Sequence, residues 1–324
     1  MLTRRSGLSI GWLLLVAIAA RPAQAEDYPT RSVKLITQGA AASGPDVIAR
    51  ITAEHLGRLW GQQVVILNHP GAAGSVAARQ AASAPADGYT LYMPATSAFI
   101  VMTEMFPNLP FDLDRDFVRI GFVAEQPMLI AVAPSLGVNS LEELITLARR
   151  RPGEILYAAN ARGTLPHLTA ERFRSQAAID LRFIPYAGAA AGLQDLVGGR
   201  ISMIVEGLGP LLGAIQSGSL KALAVAFVER LPNSPDLPTV AETIPGFVAT
   251  GWFPLLAPVG TPDWIVRQVG QDLHTVLDDP GLRQKFSDLA TFVRPMSPAE
   301  TAEFFFRREQ ELWQPVVKRL GLSH

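Results

Sequence analysis

The chain of 324 residues contains no cysteine. That excludes disulfide staples, a thiol nucleophile, thiolate metal sites and the lipid-attachment cysteine of an anchored lipoprotein. Histidine is scarce as well: the five residues His55, His69, His167, His274 and His324 show neither H-x₃-H nor H-E-x-x-H spacing, so the sequence offers no metal site. It also lacks the G-x-S-x-G elbow of a serine hydrolase, a G-x-x-x-x-G-K-[ST] phosphate loop and a G-x-G-x-x-G dinucleotide fingerprint, and no cofactor is expected. Past the N-terminus no stretch reaches the roughly 18 consecutive apolar residues of a membrane-spanning helix.

What is present begins with an export signal. Arg4 and Arg5 precede an apolar core from Leu8 to Ala20, followed by the small-x-small site Ala23-Gln24-Ala25. These are the three parts of a secretory signal in order, with cleavage expected after Ala25, and a periplasmic location follows. Removing residues 1–25 takes Arg4, Arg5 and Arg21 and no acid. The mature chain keeps 25 basic against 29 acidic side chains, a formal charge of −4. The charges are interspersed, which argues against nucleic acid and against a membrane-surface patch. With 48% hydrophobic residues, about 300 residues can bury a large core without crosslinks.

Hydrophobic periodicity gives an α/β reading. Ser32–Thr37 reads as a strand, Asp46–Trp60 has apolar residues at helical spacing, and GQQVVILNH is a second strand, together a β-α-β unit. A helix over Ser75–Ala84, the turn Pro85-Ala86-Asp87-Gly88 and the strand YTLYM continue it. The strands MLIAVAP, EILYAA, LRFIPY, RISMIVE and KALAVAF alternate with helices, one of them opened by Ser140. From Asp263 the chain is mainly helical, with a last helix opening at Pro298-Ala299-Glu300. The pattern predicts two lobes, each a mainly parallel sheet flanked by helices: residues 26–124 with 226–324, and residues 125–225. Crossings at Phe122–Gln126 and Leu223–Phe227 would leave a ligand cleft between them.

Three loops stand between a strand and a helix: Ala41-Ala42-Ser43-Gly44-Pro45-Asp46, Ala159 through Arg162, Gly163 and Thr164 to His167, and Pro185-Tyr186-Ala187-Gly188. Helix starts expose unpaired N–H groups and partial positive charge, so several of them meeting in one cleft could hold a carboxylate with no basic clamp. Asp46 is read either as a helix-start residue or as a brace for its loop. Arg162 has two readings, an ion pair with Glu206 at the end of RISMIVE, or a contact to a ligand carboxylate. His167 reads as a packed histidine first. In an exported hydrolase, the rival reading, it would serve Ser43 or Ser97 as a base. Trp252 and Phe253 are candidates for the cleft rim or for the core.

The blocks YPTRSVKLITQGAAASGPDVIAR, GQQVVILNHPGAAGSVAARQAASAPADGYTLYM, IPYAGAAAGLQDLVGGRISMIVEG and KALAVAFVERLPNSPDLPTVAETIPGF, with GWFPLLAPVGTP, run through nearly all of the mature chain. In them the sequence resembles the substrate-binding receptors of tripartite tricarboxylate transporters, the Bug family. The resemblance implies a Venus-flytrap-like periplasmic binding protein, not an enzyme, that captures a small organic carboxylate and delivers it to a membrane permease. It implies a carboxylate held by backbone N–H groups of the first loop, by helix dipoles and by water. Carried over by position, the site falls on Ser43, Gly44 and Asp46 with Ala42 in the same loop, on Thr96 and Ser97, on Gly163, Thr164 and His167, on Tyr186 and Gly188, and on Glu206. The first loop is poorer in glycine than is common in the family, and Arg162 stands where a small or polar residue is usual. A monomer is expected, and a receptor that signals to a membrane sensor is the second alternative.

Overall fold

The computed structural model describes residues 27–106, 108–294, 296 and 308–322. The export signal and the expected start of the last helix at Pro298 lie outside them. Among the described residues no helix is long and apolar enough to cross a membrane.

The chain opens with β1 (Val33–Thr37), α1 (Gly44–Trp60), β2 (Val64–Asn68), α2 (Ser75–Ala82) and β3 (Thr90–Met93), followed by the single-turn helices α3 (Ser97–Ile100) and α4 (Met102–Met105). β1 pairs in parallel with both β2 and β3, as β-α-β grammar requires. α1 forms because Ile48, Leu56 and neighbouring small residues recur on one face, which is fully buried. It stops where Gly61 takes a φ of 61°, a conformation open to glycine at little steric cost. Its face packs with Leu35, Leu255, Val269 and Phe286 into a core of its own. Leu56→Ala there would cost about 2–5 kcal/mol.

A single long strand, β4 (Phe117–Val132), then spans the molecule. Beyond it come α5 (Leu141–Arg150), β5 (Leu156–Ala159), α6 (Leu165–Gln176), β6 (Arg182–Pro185), α7 (Ala189–Val197), β7 (Met203–Gly207), α8 (Leu208–Gln216), β8 (Lys221–Val225) and α9 (Val240–Thr243). The chain finishes with β9 (Thr250–Pro258), α10 (Asp263–Leu277), α11 (Pro280–Asp288) and α12 (Arg308–Arg319).

The nine strands form one mixed sheet in the order β2-β1-β3-β9-β4-β7-β5-β6, with β8 added on β4. Residues 117–127 of β4 pair antiparallel with β9 on one side of the molecule; residues 128–132 pair with β7 and β8 on the other. The first expected crossing, Phe122–Gln126, therefore falls inside β4. The return does not come at Leu223–Phe227. β8 stays with the second half of the sheet, where Ala226 N–H donates to Met128 O and Ala249 N–H to Ala226 O, and the chain rejoins the first half only at Thr250 opposite Pro127. Pairing decides this: β8 is bound to residues 129–132 of β4, in the second half, whereas β9 lies wholly in the first half, against residues 117–127 of β4 and against β3.

Candidate functional site

A cavity of about 320 Å³ lies where the two halves of the sheet meet. From the first half it is lined by Gln38, Gly39, Ala40, Ser43 and Pro45 after β1, by Pro70 and Gly71 before α2, and by Ala95, Thr96 and Ser97 after β3. From the second come Asn160, Ala161, Thr164, Leu165 and Pro166 after β5, Ala187 and Gly188 after β6, and Glu206 at the end of β7. Gln126, Met128, Gly251 and Phe253, on the strands that connect the halves, form the floor. These are the carboxyl ends of the strands, where open α/β sheets bind ligands.

The N-cap residues of three helices, Ser43 of α1, Thr164 of α6 and Gly188 of α7, line this cavity, and none of these helices has a side-chain cap. α5, α9 and α11, away from it, are capped by Ser140, Thr239 and Asp279. The first N–H groups of a helix have no intrahelical partner, so uncapped starts around a cavity present donors and positive dipole ends to whatever fills it.

The first loop is braced from behind. Asp46 accepts from Ala42 N–H at 2.8 Å, from Arg50 Nε at 2.9 Å and from Asn68 Nδ2 at 2.8 Å, and Asn68 Nδ2 also reaches Gly39 O at 2.8 Å. Burial raises the Asp46 carboxyl, but these bonds outweigh it and hold the group below the usual carboxylate range. Ala42 sits at a φ of 63°, a conformation that costs a residue with a Cβ about 1–2 kcal/mol and that the Asp46 bond fixes in place. Asp46 thus shapes the loop from outside the cavity.

Glycines let the halves come together. A Cβ at Gly44 would stand 2.8 Å from Gln126 Oε1 and 3.5 Å from Glu206 Oε1, one at Gly188 3.3 Å from Ala40 Cβ, and one at Gly207 would overlap Gln126 Oε1. Gln126 is held there by its Nε2, which donates to Thr291 Oγ1 at 2.9 Å.

Of the sequence-derived site residues, Ser43, Thr96, Ser97, Thr164, Gly188 and Glu206 line the cavity, whereas Ala42, Gly44, Asp46, Arg162, Gly163, His167 and Tyr186 stand behind it. The expected Arg162–Glu206 ion pair does not form. Arg162 is exposed and donates to Leu320 O at 3.2 Å, while Glu206 takes Asn160 Nδ2 at 2.6 Å and Gly207 N–H at 3.0 Å. The side chain leaves the cavity because solvent and a carbonyl at the end of α12 satisfy a guanidinium more cheaply than burial would. Glu206 is 2% exposed, and desolvation pushes its carboxyl up to about 7 against the pull of those two donors.

His167 is packed, as its first reading had it. Its Nδ1 accepts from Gly163 N–H at 3.3 Å, its ring lies 4.3 Å from that of Phe183, and burial lowers it to about 4, so it is neutral. Ser43 Oγ donates to Ala40 O at 2.7 Å and Ser97 Oγ accepts from Gln38 Nε2 at 2.8 Å. Neither serine bonds to His167, so the hydrolase dyad is not assembled. Thr96 ties β3 to β9 by accepting from Trp252 N–H at 2.7 Å, and Tyr186 donates to Asp195 at 2.7 Å. Trp252 is a core residue stacked 4.8 Å from Phe99, and only Phe253 of that pair reaches the cavity.

Gln38, Asn160 and Gln126 line the cavity but were not among the sequence-derived site residues, although Asn160 lies in the second loop and Gln126 in the first expected crossing. The first two directly follow strands whose ends were assigned to the site, a signal that was available. Gln126 ends the expected crossing Phe122–Gln126, but that its side chain enters the cavity depends on β4 running through both halves.

Residues 48–322 match the family described as tripartite tricarboxylate transporter family receptor. Protein BugT of Bordetella pertussis is 32% identical over 96% of both chains. A Rhodopseudomonas palustris protein solved with adipate superposes with a TM-score of 0.86 at 31% identity, covering 92% of this chain and 99% of that one. MatC from Rhodopseudomonas palustris, solved with bound malate, gives 0.81 at 28% identity, covering 90% and 100%. With more than four-fifths of its length matched by one family and its fold shared with solute-binding proteins of that group, this chain belongs to the tripartite tricarboxylate transporter receptor family.

Proposed function

We propose that the protein binds a small organic carboxylate in the cavity between its two lobes and presents it to the membrane permease of a tripartite tricarboxylate-type transporter. The observation that carries this reading is the set of uncapped helix starts of α1, α6 and α7 around a partly open, mostly apolar cavity whose lining, among the described residues, has no basic side chain. A carboxylate is the group such a cavity suits, since backbone N–H groups and helix dipoles satisfy it without a counter-ion. The adipate and malate held by two relatives agree with that size and charge.

Of the described residues, those up to 127 and from 250 onward make up one lobe and residues 128–249 the other, hinged at Pro127 and Thr250. Ser43, Ser97, Thr164 and Gly188 contact the ligand, joined by Gln38 and Asn160. The chain is exported, cleaved after Ala25 and works as a periplasmic monomer. Ligand binding shifts the lobes toward closure only by favouring the closed form, the state in which Gly188 and Ala40 approach.

Thermal unfolding of residues 26–324, refolded from denaturant to strip carried ligand, tests this across mono-, di- and tricarboxylates. A ligand at 100 times its Kd adds about 2.7 kcal/mol and raises the midpoint visibly. A panel silent throughout would reject the reading.

A further inference from the structure

Glu206 is the one side chain in the cavity lining that ionises in the biological pH range. Each of its oxygens accepts a single protein donor, Gly207 N–H on Oε1 and Asn160 Nδ2 on Oε2, and a carboxylate oxygen has room for two. The cations of the surrounding elements are engaged elsewhere: Arg50 on α1 faces Asp46, Arg162 in the β5–α6 loop faces Leu320 O, and His167 on α6 is neutral. A buried carboxylate without a cation is costly, and the upward push on its carboxyl reflects that. A second carboxylate placed beside it would add repulsion, whereas a ligand N–H donor would supply what the protein withholds.

We infer that Glu206 selects an amino-substituted carboxylate, accepting the ligand's protonated amine while the ligand carboxylate rests on the helix starts. The inference rests on the proposed carboxylate reading and narrows it. Asn160 holds the acceptor in place, and the start of α1 at Gly44, close to Glu206 Oε1, sets the distance between amine and carboxylate positions.

Calorimetric titration of the refolded wild-type protein with matched pairs tests it: aspartate against succinate, glutamate against glutarate, 4-aminobutyrate against butyrate. At least one amino member is expected to bind about tenfold or more tighter than its partner, about 1.4 kcal/mol. In Glu206→Gln, which keeps the shape and the bond from Asn160 but not the charge, that advantage falls to about twofold or less, about 0.4 kcal/mol. The wild-type pairs decide even if the variant fails to fold. Diacids that bind as tightly as or tighter than their amino partners would overturn the inference and leave the carboxylate reading standing, with Glu206 donating a proton-borne hydrogen bond to a second carboxylate. An amino advantage that persists undiminished in Glu206→Gln would overturn the role of this residue. Binding of no member would overturn both readings.

Discussion

At the scale of single residues, the site separates side chains that face the ligand space from those that hold others in place. Asp46 is of the second kind. Asp46→Ala removes three bonds at once and leaves Ala42 in a strained conformation with nothing to fix it. Chemical denaturation should find the variant roughly 2–3 kcal/mol less stable, and its affinity for any carboxylate should fall although the residue never reaches the cavity. Arg162 gives the opposite expectation. Because its guanidinium lies against Leu320 O, Arg162→Ala should alter mono- and dicarboxylate affinities by the same small factor in parallel titrations. A selective loss of dicarboxylate binding would place the side chain in the cavity after all.

At the scale of elements, capping sets stability where a helix has no part in the site, although α10, also away from the cavity, starts uncapped at Pro262. Ser140 accepts from Glu143 N–H at 3.2 Å and caps α5, a helix with no part in the cavity. Ser140→Ala should therefore lower stability by about 1 kcal/mol with ligand affinity unchanged. The β7–α8 junction is tighter. Gly207 has an ordinary φ of −64°, so Gly207→Ala is opposed by contact with Gln126 rather than by backbone strain. The substitution should cost about 1–3 kcal/mol as an overpacked site. Gln126→Ala in the same chain should recover part of that loss, giving a coupling in a double-mutant cycle that independent sites would not show. The longer helices and much of the strand alternation were legible in the sequence because local spacing encodes them, whereas the single-turn helices α3, α4 and α9 and the strand β9 were not. Even so, MLIAVAP emerged as only the end of a sixteen-residue β4, whose register depends on partners far away in sequence.

At the scale of the whole molecule, two buried titratable groups oppose each other. Glu206 holds a proton in the folded state, up to about 7, that an unfolded chain releases near 4.5, so its contribution to stability declines as pH rises across that window. His167, lowered from 6.5 to about 4, stays neutral where an unfolded chain takes up a proton, so its contribution declines as pH falls from 6.5 toward 4. Each is worth on the order of 3 kcal/mol. Because the two windows overlap with opposite slopes, the contributions largely cancel, and urea unfolding of the ligand-free protein should show a shallow plateau between about pH 4.5 and 6.5. Glu206→Gln should leave the His167 contribution uncompensated, so that stability rises steadily from about pH 4 to 6.5; a profile as flat as that of the wild type would mean that Glu206 does not hold a proton in the folded state.

The sequence by itself pointed to an export signal, and determined the α/β alternation and the loops that line the cavity, because these follow from local composition and periodicity. It also marked Ser43, Thr96, Ser97, Thr164, Gly188 and Glu206, each at the end of a strand or the start of a helix. Only the tertiary structure decided which of the marked residues reach the cavity. His167 turns onto Phe183, Tyr186 onto Asp195 and Arg162 onto the end of α12, partners set by packing between segments up to 158 residues apart. The same holds for Glu206: its position was legible, but its lack of a cation partner among the described residues depends on where Arg50 and Arg162 find theirs, and burial and pairing are properties of the assembled fold.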